Sequence, residues 1–220
     1  MRWIAGTLCV LPTLVSVTQA QERATFAFRG DAAAVWLRQE TAPGVVQQLR
    51  GPALGAQGRV NYGPLTFGAG LIEGRLDAAS GGTGGGAARD LVEGRAFVAA
   101  RPLPWLEVSL GPLLRAYVTD SATERWVVWQ GRARIDAPIL TARLTSFVEL
   151  WRGLSSRVTF PPFLAGRVQG GEAGVVYKPP RGPLWWRLAY RVDDALLGGA
   201  PAGGGSETVE VVTLSVGIGR

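Results

Sequence analysis

Between Trp126 and Trp151 the charged side chains keep almost entirely to one parity at a time. Arg132, Arg134 and Asp136 stand at every second position, with Ala133 and Ile135 between them. Beyond Ala137-Pro138 the row Leu140, Ala142, Leu144 alternates with Thr141, Arg143, Thr145. A period of two belongs to a strand whose faces meet different surroundings. The pattern recurs along the chain in about ten segments. They span Thr25–Leu37, Leu54–Tyr62, Leu65–Ile72, Leu91–Ala99, Leu106–Tyr117, two within Trp126–Trp151, Val168–Tyr177, Leu184–Asp193 and Val209–Ile218.

In nearly every segment one parity is free of charge, as in Phe26, Phe28, Ala32, Ala34, Trp36 or Val212, Leu214, Val216, Ile218. The other parity carries Arg29, Asp31, Arg59, Glu93, Arg95, Glu107, Arg115, Arg132, Arg134, Asp136, Arg143, Glu149, Arg187 and Arg191. Lysine is confined to Lys178. Arginine mixed with carboxylates suits a packed, fork-paired interior better than a water-washed face. The eighth segment fits least well, because Arg167 and Gln169 share a parity with Ala173, Val175 and Tyr177. A bulge at Gly170-Gly171 is the expected reset of its face.

Connections alternate in character. Proline-bearing short ones include Gly63-Pro64, Pro102-Leu103-Pro104, Ala137-Pro138 and Pro179–Pro183. Longer ones are expected at Gln39–Ala53, Asp77–Asp90, Arg152–Gly166 and Asp194–Thr208. This is the pattern of an up-and-down meander with tight turns at one rim and loops at the other. An even strand number puts both termini at the tight-turn rim.

The start reads as an export signal: Arg2, an apolar run from Trp3 to Val17, then Thr18-Gln19-Ala20. The expected organisation is residues 1–20 as signal and 21–220 as one domain. Cleavage would remove Cys9 and leave a chain with neither cysteine nor histidine. The basic residues are scattered singly, so no nucleic-acid stripe is present.

These alternating segments, with Trp36, Tyr62, Trp105, Trp126, Trp151, Trp185 and Trp186 near their ends, resemble the small bacterial outer-membrane β-barrels. The resemblance is one of architecture and covers nearly all of the chain after the signal. It implies an all-β fold: a closed antiparallel up-and-down transmembrane barrel of about ten strands, eight being the other count allowed. The uncharged parity would face lipid, and the tryptophans and Tyr62 would mark the interfaces. Leu144 would then lie in lipid near mid-membrane and Thr145 in the lumen. The resemblance also implies a lipid bilayer and the outer-membrane assembly machinery as partners, with surface ligands meeting the long loops and the tight turns facing the periplasm. The ending Gly217-Ile218-Gly219-Arg220 departs from the aromatic residue on which such barrels commonly finish.

At about ten strands the lumen should be narrow and largely filled by Arg–carboxylate pairs, which suits a structural or surface-interaction role. Two alternatives stay open: a narrow anion-favouring pore, drawn from the arginine excess, and a soluble secreted or periplasmic ligand-binding barrel. Enzymatic activity is not expected. A histidine base is lacking, and the adjacent Asp193 and Asp194 point to opposite faces of a strand. Gly68–Gly74 has the wrong spacing for a nucleotide fingerprint, and Gly81–Gly86 lacks the Gly-Lys-Ser/Thr ending of a phosphate loop. No metal and no cofactor are expected.

Overall fold

A computed structural model describes residues 24–42, 44–79, 87–120, 122–139, 141–159, 164–198 and 205–219. The signal segment lies outside the described residues. The fold is a closed barrel of ten antiparallel strands, each paired with its chain neighbours and sealed by β1 against β10. The strands are β1 (Thr25–Ala42), β2 (Val45–Tyr62), β3 (Leu65–Ala78), β4 (Arg89–Leu103) and β5 (Leu106–Val118). They continue with β6 (Thr123–Ile139), β7 (Thr141–Val158), β8 (Leu164–Tyr177), β9 (Leu184–Gly198) and β10 (Gly205–Gly219). The ten alternating segments lie within these strands, except for Leu140, which is outside the described residues.

The strands are longer than the alternation suggested. They hold 13 to 18 residues, whereas crossing a bilayer takes about 9–11. The expected loop Gln39–Ala53 is mostly ladder: Arg38 pairs with Gln48 and Val35 with Gly51, and only two residues separate Ala42 from Val45. Gly44 takes φ 80° in this turn, a left-handed conformation that suits glycine. The other three expected loops are likewise shortened at their ends. Antiparallel pairing continues because these polar outward side chains meet water while the backbone stays paired. At about 3.4 Å per residue and a tilt near 45°, an 18-residue strand rises about 40 Å, against an apolar band of about 25 Å.

The outer wall follows that division. At the end holding both termini it presents Phe26, Phe28, Leu65, Phe67, Leu110, Leu184, Leu188, Leu214 and Ile218, all exposed. At the far end it presents Arg38, Arg50, Arg75, Asp77, Arg125, Arg152 and Arg167, also exposed. Arg167 and Gln169 therefore share the outward parity of Ala173 and Tyr177 but stand higher on the wall. No bulge interrupts Gly170-Gly171, since β7 and β8 keep one register from Leu144↔Tyr177 to Arg152↔Gln169. The irregularity of β8 lies at Ala165/Val168 instead. Leu144, opposite the last residue of β8, sits at the termini edge of the band; Val148 and Leu150 occupy its middle.

Candidate functional site: the barrel lumen

The inward parity builds the lumen in layers. Toward the far end, inside a polar rim of Gln39, Gln47, Arg89 and Glu124, it is apolar. Val35, Leu37, Leu49, Leu76, Leu91, Leu113, Val128, Val168, Val209 and Val211 form one buried cluster, joined by Trp126 and Tyr117. The charged-parity rule did not anticipate this layer. Its trace in the sequence is that segment ends such as Ala34-Val35-Trp36-Leu37 are apolar on both parities.

Next comes a buried ion-pair layer. Arg115 lies 2.6 Å from both Glu93 and Asp193 and 3.3 Å from Glu207. Arg191 lies 2.6 Å from Glu93 and 3.3 Å from Asp193. The Tyr117 hydroxyl donates to Glu207 at 2.9 Å, and Trp151 Nε1 donates to Asp193 at 2.9 Å. Charges this deep persist only when paired and hydrogen-bonded. Below it, Arg132 donates to Glu149 at 2.9 Å and Arg187 pairs with Glu172. Toward the termini end follow Arg29–Asp31 at 3.2 Å, Arg59–Glu107 at 3.4 Å and Arg134–Asp136 at 2.8 Å. Arg95 donates to Gln57 at 2.8 Å. Arg143 has the same parity but is exposed at the rim, outside this network.

Guanidinium planes also stack on inward aromatic rings: Arg59 and Arg95 on Phe97, Arg132 on Trp151, and Arg134 and Arg187 on Phe147. Each of these rings needs room in a narrow tube, and a glycine directly opposite supplies it. Phe97 pairs with Gly68, Trp151 with Gly170 and Phe147 with Gly174. A Cβ on any of the three glycines would meet the ring. Gly170, expected to form a bulge, instead makes space for Trp151.

The expected interface aromatics divide accordingly. Trp36, Tyr62, Trp105 and Trp186 stand exposed on the outer wall. Trp126 and Trp151 do not: they are 3% and 4% exposed, inside the barrel. Trp185 is half-buried on the inward parity of Arg187, across from Gly217. The correction was readable, because Trp126 shares its parity with Arg132, Trp151 with Glu149 and Trp185 with Arg187. An indole N–H inside the barrel finds a carboxylate; Trp126 donates to Glu124 at 2.8 Å.

The inward set also includes Asp193, which the charged parity contains, and Arg89, Glu124, Glu172 and Glu207, which the candidate lumen residues omitted. With them, carboxylates match guanidiniums among the described residues inside the tube. The arginine excess that suggested an anion pore is gone from the interior, and cations outnumber carboxylates only at the termini rim, where Arg101 and Lys178 stand.

A sheet closed on itself leaves no edge, and here it turns an apolar band outward over a charged interior. That combination defines a transmembrane β-barrel of the class that spans bacterial outer membranes, and the outer membrane is its place. The sequence matches no protein-family model and no curated protein. Among solved structures, the translocator domain of autotransporter NalP from Neisseria meningitidis is similar with a TM-score of 0.47. The identity is 14%, over 87% of this chain and 88% of that one. Neisserial surface protein A gives 0.36 at 13% identity, over 90% and 99%. The P. putida toluene transporter TodX gives 0.31 at 10% identity, over 90% and 89%. At these scores the likenesses add no weight, and the class rests on the wall of this chain alone.

Proposed function

We propose that this chain is a structural barrel of the outer membrane whose lumen does not conduct and whose projecting outer wall meets partners outside the cell. The carrying observation is the apolar cluster at the far end, with the Arg115 layer against it. An ion crossing there would have to pass a layer of packed hydrocarbon side chains, and an isolated charge in such surroundings is costly. The matched interior charge removes the support for an anion-selective pore. The exposed apolar band argues against a soluble carrier, since patches beyond a few hundred Å² are rare on soluble monomers. In this reading the chain is exported by its signal, inserted by the assembly machinery, and non-catalytic. Its charged upper wall is a surface available outside.

Planar-bilayer recording tests the closed lumen. Purified protein should add no conductance steps above the bare membrane. Steady single-channel currents, above all anion-selective ones, would refute the filled lumen.

A further inference from the structure

Below the ion-pair layers the lumen widens into a cavity of about 440 Å³ that opens among Gly63, Pro64, Lys178 and Gly219 at the termini end. Sites for small organic molecules fall at roughly 300–1,000 Å³. Arg29, Arg59, Arg101, Arg134, Lys178 and Arg187 line it, and Glu107 is the one carboxylate among the described lining residues. Among the described residues several guanidinium donors have no hydrogen-bond partner: Arg29 uses Nε toward Asp31, and Arg59 reaches Glu107 through Nη1 at 3.4 Å. The buried Nε of Arg187 has no hydrogen-bond partner. One wall is Trp185, an apolar ring among cations.

We propose that this vestibule binds a small organic phosphate, its oxygens between Arg29, Arg59 and Arg187 and its apolar part against Trp185. A phosphate offers several acceptor oxygens and up to two charges, which suits several converging forks; a monocarboxylate would satisfy one. A soluble ester and a lipid headgroup share this recognising chemistry. The site rests on the barrel fold and not on closure of the lumen above it.

The test uses the full chain, expressed to the membrane and extracted in a non-ionic detergent without phosphate. Tryptophan fluorescence and calorimetry follow titration with phenyl phosphate, with phenol as the neutral match, and with a short-chain phosphatidylglycerol below its micelle concentration. Phenyl phosphate should bind saturably and more weakly as salt rises, and phenol should not bind. The double variant Arg29→Gln/Arg59→Gln should lose at least tenfold in affinity while keeping its heat-shifted gel band. Arg101→Gln, at a position 52% exposed on the open rim and so safe for folding, should lose a few-fold. Binding of only the ester assigns a soluble ligand, and binding of only the lipid assigns a headgroup; both support the site. Equal binding of phenol and phenyl phosphate, no binding of any probe, or unchanged affinity in Arg101→Gln would overturn it. The last outcome decides even if the double variant fails to fold.

Discussion

Leu214 offers the sharpest test of what surrounds the barrel. It stands on the outer face of β10, 52% exposed, midway between Ile218 at the termini end and Glu210 above. Its neighbours Thr213 and Ser215 point inward and are buried. An arginine facing hydrocarbon at the midplane costs about 2–4 kcal/mol, which is roughly a 30-fold to several-hundred-fold shift in the folding equilibrium. Thr208 lies on the same strand and face, six residues higher. That is about 20 Å along the strand and, at a tilt near 40°, about 15 Å along the membrane normal. Half of a band about 25 Å tall is exceeded, so Thr208→Arg should cost about 0–1 kcal/mol. It also gains Asp194, whose carboxylate accepts from the Thr208 hydroxyl at 3.4 Å. Reversible urea unfolding from lipid vesicles, followed by tryptophan fluorescence, compares both variants with the parent. Leu214→Arg should be worse than Thr208→Arg by about 2 kcal/mol. Equal costs, or a harmless Leu214→Arg, would mean that this wall does not face lipid, and the membrane assignment would fail.

Three further outcomes follow from the interior and the orientation. Leu113→Ala, inside the far-end cluster, should cost about 2–5 kcal/mol in the same unfolding assay, as cavity formation in a packed core does; a loss below about 0.5 kcal/mol would show a loose lumen. Glu93→Ala removes the carboxylate that Arg115 and Arg191 share, leaving two buried guanidiniums on Asp193 and Glu207, and should cost about 3–5 kcal/mol, whereas Asp77→Ala at the exposed Arg75 pair, 3.7 Å apart, should cost no more than about 1 kcal/mol. A cysteine at Asp120, in the far-end β5–β6 connection, should react with an impermeant thiol reagent on intact cells, and one at Gly182, in the termini-end β8–β9 turn, should not; the reverse pattern would invert the barrel.

Much of the outer surface was legible before any coordinates. The charge-free parity of Val212, Leu214, Val216 and Ile218 is the lipid row of β10, and the same rule placed Leu144 outward. Parity also holds the answer for Trp126, Trp151 and Trp185, against the interface placement that their positions near segment ends suggest. The missed carboxylates have a different cause. Glu172 sits among glycines in a segment whose Arg167 and Gln169 obscured the face, and Glu207 precedes the recognised stretch of β10. Strand length was illegible because alternation in hydropathy marks only the part of a strand that crosses lipid, while pairing of Gln39–Ala53 continues in water.

What the sequence by itself determined is local: a period of two, the choice of outward row, ten strands and hence a closed sheet. Side-chain alternation in a strand is a property of the backbone, so it survives without knowledge of any neighbour. The tertiary structure alone decided who meets whom across the tube. Arg115 reaches Asp193, 78 residues away, and Arg191 reaches Glu93 at a separation of 98. Trp151 has room inside because the register sets Gly170 opposite it. These meetings depend on the stagger with which ten strands close, and that stagger is a property of the whole sheet, absent from every strand taken alone.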